Sequence, residues 1–168
     1  MLIYNAPGIG ITPSADVIER LADLSGVVGI KQGVLTPTII DQIANRLSGR
    51  IRLFCASDLA FLGPMMAGFD GISSTNSCAL PEVILAAFRA VEKGDATTAR
   101  DLHKLWYPFR ALAYGQPQTV KAAMKARGFD GGAVRLPLRD LGAAETANVA
   151  EVMRTLSADA RTGIKLAA

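Results

Sequence analysis

The chain has 168 residues, half of them hydrophobic, so one domain's worth of sequence can bury a sizeable core. Its formal charge of +3 comes from 18 Lys and Arg scattered among 15 Asp and Glu, without a basic cluster interleaved with aromatics, which argues against nucleic acid as a partner. No apolar run is long enough to span a bilayer, and the single histidine, His103, excludes multi-histidine metal sites.

Short β-branched or aliphatic runs mark four strands, at Leu2–Tyr4, Val27–Lys31, Ile51–Cys55 and Gly71–Ser74. Between the first two, Val17, Ile18, Leu21 and Leu24 recur at helical spacing over Ser14–Leu24; between the next two, Ile39, Ile40, Ile43 and Leu47 do so over Thr38–Leu47. Thr12-Pro13 and Thr36-Pro37 each supply a capping hydroxyl before a proline whose missing N–H costs nothing in a first turn. Gly26 and Gly49 supply left-handed stops. Asp58–Gly68 carries Pro64 and predicts a short or bent helix.

This β-α-β-α-β-α-β order implies parallel strands joined by right-handed crossovers. From Pro81 the pattern is helical only, over about Pro81–Lys93, Asp95–Ala113, Gln116–Arg127 and Ala143–Ala158, with a Gly- and Pro-punctuated loop from Gly128 to Leu141. The expected division is residues 1–80 for the βα units and 81–168 for the last barrel helix and a helical appendage.

In βα architectures reactive groups gather at the carboxyl ends of the strands. Those ends hold Tyr4-Asn5, Lys31-Gln32, Ala56-Ser57-Asp58 and Ser73-Ser74. Taken singly, each has a structural explanation: a tyrosine covers a rim, a lysine or aspartate caps an element, serines suit a turn. Lys31 stands out, because an amine projecting into an apolar barrel mouth can be desolvated and become a nucleophile toward carbonyls, and the Tyr4 phenol on the neighbouring strand could relay protons. Gly8-Ile9-Gly10 begins like a dinucleotide fingerprint, but Pro13 replaces its third glycine, so that stretch reads as an active-site loop. Asp16 and Glu19 face solvent in this reading, and Cys55 and Cys78 are expected to be buried free thiols.

At this point the residues resemble a known family. Tyr4-Asn5-Ala6-Pro7-Gly8 resembles the Tyr-Asn-x-Pro motif of the dihydrodipicolinate synthase and N-acetylneuraminate lyase superfamily, and Val28-Gly29-Ile30-Lys31 resembles its Schiff-base lysine strand. Ser57-Asp58, Gly68–Ser74, Ala79-Leu80-Pro81-Glu82, Val120–Ala123 and Gly131–Leu138 are similar to later segments of that family, in the same order. The resemblance implies an α/β fold, a partial (β/α)8 TIM barrel comprising the last four βα units, followed by a C-terminal helical appendage.

By the same resemblance Lys31 forms an imine with pyruvate or another 2-oxo acid, Tyr4 relays protons, and Asn5, Ala56, Asp58, Ser73 and Ser74 bind substrate. No cofactor or metal is expected. The implied activity is a class I lyase, aldolase or dehydratase, on pyruvate or a 2-oxo-3-deoxy sugar acid. Ile9 stands where dihydrodipicolinate synthases carry an arginine for an aldehyde's carboxylate, which argues against aspartate semialdehyde, though a dihydrodipicolinate synthase is the alternative within the family. The first four βα units and their Gly-Thr-Thr-Gly loop have no counterpart here. A homo-oligomer or pairing with an N-terminal half is therefore expected, and a noncatalytic half-barrel binding a partner through its exposed edges is the rival reading. The first residues lack a secretory signal, so the expected compartment is the cytoplasm.

Overall fold

The structure, a computed structural model, describes residues 1–167. It contains two compact units, Met1–Ser74 and the residues from Thr75 onward.

The first unit runs β1 (Leu2–Asn5), α1 (Ala15–Ala22), β2 (Gly29–Gln32), α2 (Pro37–Leu47), β3 (Arg52–Cys55), α3 (Leu62–Met66) and β4 (Gly71–Ile72). The strands form one sheet in the order β1-β2-β3-β4. All three pairings are parallel. Among the described residues β1 and β4 are therefore the sheet's edges.

Side chains alternate across a strand, and here the two faces differ sharply. Ile30, Gln32, Leu53 and Cys55 share one face and are fully buried, as are Ile18 of α1 and Ile43 and Leu47 of α2. Successive right-handed crossovers put their helices on the same side of a sheet, which explains a single dry face. Each such Ile or Leu contributes roughly 1.5–3 kcal/mol relative to exposure. The opposite face carries Leu2, Tyr4, Lys31, Arg52 and Phe54, none of them fully buried.

Helix ends follow local chemistry. Thr36 caps α2 by accepting from the Ile39 amide at 3.4 Å, with Pro37 in the first turn. The expected cap at Thr12-Pro13 is corrected: Ser14 caps α1 instead, accepting from the Val17 amide at 3.4 Å, and Pro13 stays outside the helix. Gly26 and Gly49 adopt left-handed φ angles of 87° and 77°, as the stops require. Asp16 and Glu19 lie at the surface but not alone. Arg46 pairs with both, and Arg50 with Glu19 and Asp23, joining α1 to α2.

The second unit holds α4 (Pro81–Glu92), α5 (Ala96–Leu105), α6 (Tyr107–Arg110), α7 (Gln118–Ala126) and α8 (Ala143–Ala158), with short 3-10 turns at Asn76–Cys78 and Ala160–Thr162. The single helix expected over Asp95–Ala113 is two, broken at Trp106. Pro108 has no amide to donate, and its ring would strike the Lys104 carbonyl in a continuous helix. Trp106 and Phe109 anchor the break in the core, with His103 edge-on to the Trp106 ring at 5.7 Å between centroids. The loop after α7 is tied down by Lys121, whose ammonium donates to the carbonyls of Gly131 at 2.8 Å and Ala133 at 2.7 Å. Cys55 is buried as expected, whereas Cys78 is exposed, because it ends a 3-10 turn and not a strand. No helix among the described residues is long and apolar enough to cross a membrane.

Candidate active site

Tyr4 and Lys31 are opposite one another in the β1–β2 register, and Lys31 is opposite Phe54 in the β2–β3 register. The three side chains thus form one row across the face turned away from the buried one. Lys31 Nζ sits 4.2 Å from the centroid of the Tyr4 ring, an amine held against a π face. Tyr4 is 51% exposed and Lys31 half-buried. The row stands near the carboxyl ends of its strands, since β1 and β2 each end one residue later.

Gly29 lets its neighbours on β1 and β3 close in beside this row. A β-carbon there would lie 2.7 Å from the Arg52 carbonyl and 2.9 Å from Leu2 Cδ1, so no other residue fits between β1 and β3 without moving backbone. Arg52, the other cation on this face, lies toward the amino ends of the strands and is paired with Asp70 at 2.6 Å. Asp70 also accepts from the Leu53 amide at 2.8 Å, which anchors the approach to β4.

The remaining strand-end residues divide between the two faces. Asp58 is 5% exposed and accepts a hydrogen bond from the Ser74 hydroxyl, linking the ends of β3 and β4. Ser73 continues the ladder beyond β4 by donating its amide to the Cys55 carbonyl at 2.8 Å. Ala56 donates its amide to the Gln32 carbonyl at 2.9 Å and is half-buried. Asn5 is not brought to the Lys31 face. It is 1% exposed and its amide donates to Gln32 Oε1 at 3.0 Å, while Gln32 Nε2 donates to the Val34 carbonyl at 2.8 Å.

That buried amide pair escaped sequence reasoning. The signal for it was a glutamine two residues after Ile30, on the strand face where an apolar residue is expected. Cys55 lies on the same dry face; burial pushes its thiol above the ordinary value and the Asp58 charge adds to the effect. Among the described residues no group of three or more His, Cys, Asp or Glu is placed to hold a metal ion.

A parallel sheet with helices on one side and a lysine–tyrosine pair on the other is four units of a (β/α)8 barrel, its second half, followed by a helical region. Residues 1–158 match the model of the Dihydrodipicolinate synthetase family, and the chain belongs to that family. A 4-hydroxy-tetrahydrodipicolinate synthase of Sorangium cellulosum is 33% identical over 162 residues, covering 94% of this chain and 54% of the relative. One of Halorhodospira halophila is 30% identical over 156 residues, covering 91% and 52%. The solved structure of the 4-hydroxy-tetrahydrodipicolinate synthase from Methylacidiphilum fumariolicum superposes with a TM-score of 0.83 at 27% identity, covering 96% of this chain and 56% of that one. The chain spans about half the length of the curated relatives it matches.

Proposed function

We propose that this chain carries the imine-forming half of a class I lyase acting, in the cytoplasm, on pyruvate or a 2-oxo-3-deoxy sugar acid. Lys31 attacks the ketone carbon of the 2-oxo acid, the carbinolamine loses water, and the imine draws electrons from the adjacent carbon. The Tyr4 phenol carries protons to and from the carbinolamine oxygen. Ser73, Ser74, Asp58 and the Ala56 backbone line the far side of the pocket. Asn5 acts from beneath, holding Gln32 and with it the end of the Lys31 strand. Four further βα units complete the barrel over the open face, from a second copy or a separate N-terminal half.

The observation that carries this reading is the amine of Lys31 set 4.2 Å from the Tyr4 ring on the open face. Borohydride reduction in the presence of pyruvate, applied to the completed barrel and followed by peptide mass spectrometry, tests it. The expected result is a reduced pyruvyl adduct on Lys31, lost in Lys31→Arg and slowed about 10²–10⁴-fold in Tyr4→Phe. A folded barrel without adduct, or with the adduct on another lysine, overturns the proposal and favours a noncatalytic half-barrel that binds through its β1 and β4 edges.

A further inference from the structure

The second unit holds a cavity of about 640 Å³, within the range of small-molecule sites. Part of its lining is a single face of α7, because Gln118, Lys121, Ala122 and Lys125 recur at helical spacing. The loop from Gly128 to Ala133 supplies most of the rest, with Asp140 and Leu141. Lys121 ties helix to loop. Its ammonium donates to the carbonyls of Gly131 at 2.8 Å, Gly132 at 3.4 Å and Ala133 at 2.7 Å. Its stem lies close enough that a β-carbon on Gly131 would come within 3.2 Å of Lys121 Cγ.

The charges of the lining cancel, two lysines against two aspartates. Their hydrogen-bonding capacity does not. The three donors of the Lys121 ammonium are spent on the three carbonyls, which leaves the exposed Lys125 as the other cation of the lining. Asp130 Oδ1 accepts from the Gly132 amide at 2.8 Å and Asp140 Oδ1 from the Val134 amide at 3.0 Å, so each carboxylate is fixed through one oxygen and keeps the other to accept from a ligand. Gln118 Oε1 is a buried acceptor without a hydrogen-bond partner among the described residues. Phe129 adds an aromatic ring that is 55% exposed and is held by Arg127, whose guanidinium carbon lies 5.8 Å from the ring centroid.

We propose that this cavity binds a neutral, polyhydroxylated ligand of pyranoside size. Every residue of it belongs to the second unit, and it uses none of those given to the imine chemistry. Fixed acceptors outnumber free donors, so the ligand has to donate, and hydroxyl groups do so without carrying charge. A charged ligand would lose its hydration while gaining little from a lining whose charges cancel: a cation meets two ammonium groups as well as two carboxylates, and an anion the same set. A sugar ring also has an apolar face of C–H groups, which suits the negative face of the Phe129 ring.

Methyl glycosides test the proposal, because their acetal carbon offers no free carbonyl and so cannot form an imine with Lys31. The full chain is titrated with the methyl α-pyranosides of glucose, galactose and mannose, and with glycine as a zwitterion of no net charge, by saturation-transfer NMR and calorimetry. At least one glycoside should bind with a Kd of about 0.1–10 mM, and glycine more weakly. Phe129→Ala should weaken that binding about 3–10-fold. Asp140→Asn, which keeps an oxygen for the Val134 amide and turns the free acceptor into a donor, should weaken it about 10–100-fold. Both positions are exposed, and circular dichroism checks that each variant is folded. No binding of any of the three glycosides up to about 50 mM, glycine binding as tightly as the best of them, or unchanged binding in either folded variant overturns the proposal.

Discussion

Replacing Gln32 by methionine should loosen the sheet beside Lys31 without touching the open face. Methionine nearly matches glutamine in length and volume, so the change removes hydrogen bonds more than packing. Two groups lose their partners. The Asn5 amide, donating to Gln32 Oε1 at 3.0 Å, is sealed in a site 1% exposed, and the Val34 carbonyl, accepting from Gln32 Nε2 at 2.8 Å, is half-buried. An orphaned buried polar group costs about 1–3 kcal/mol, with Val34 at the low end because water can reach it, so the total is about 2–4 kcal/mol. Urea unfolding reads this as a lower midpoint at unchanged slope, and hydrogen exchange should quicken at the Gly33 amide, which donates to the Asn5 carbonyl at 2.6 Å. Adding Asn5→Leu should return part of the loss, because it removes the orphaned Asn5 amide and leaves only the Val34 carbonyl without its partner. A Gln32→Met protein within about 0.5 kcal/mol of the parent, or a double variant that is simply additive, would refute the reasoning.

In the second unit, Arg127 is 8% exposed and joins Glu82 while donating to the Ala79 carbonyl at 2.6 Å. Arg127→Met strands a carboxylate and a carbonyl; discounted for Glu82 being about one-third exposed, the expected loss is about 2–3 kcal/mol in urea unfolding, with Glu82→Gln losing less. Asp159 accepts from the side chain and amide of Arg161, and these bonds lower its pKa to about 2, against about 3.9 unfolded. Between those values the unfolded chain binds more protons, so the stabilisation is present above about pH 4 and lost as pH falls through about 2. Asp159→Asn should accordingly narrow its melting-temperature gap to the parent as pH drops from 5 to 2, and a gap constant with pH would contradict the assignment.

Much of the architecture follows from short-range chemistry. The alternation of β-branched runs with helical spacing requires parallel strands and crossovers, because no short connection can return a parallel strand. The motif order around Tyr4 and Lys31 pointed to the right family for the same reason: those residues are close in strand position as well as in chemistry. Their facing one another is a consequence of register. Where local signals compete, the sequence is less decisive. Ser14 took the cap from Thr12, Pro108 divided a helix whose hydrophobic period runs through it, and the expected strand Gly71–Ser74 ends at Ile72, with Ser73 keeping one ladder bond and Ser74 bonded to Asp58.

What tertiary structure alone decided is which face each strand-end residue serves. Tyr4 and Asn5 are neighbours in sequence, both polar and both plausible in a pocket, yet the pleat sends one to the open face and the other into the dry one. Composition cannot distinguish them, since a one-residue change of register would exchange their roles. The packing of Ile18, Ile43 and Leu47 against the buried face selects the register, because only this one hides Ile30 and Leu53 and brings the Asn5 amide to Gln32 Oε1. The amine of Lys31 reaches the open side as a result of that same burial.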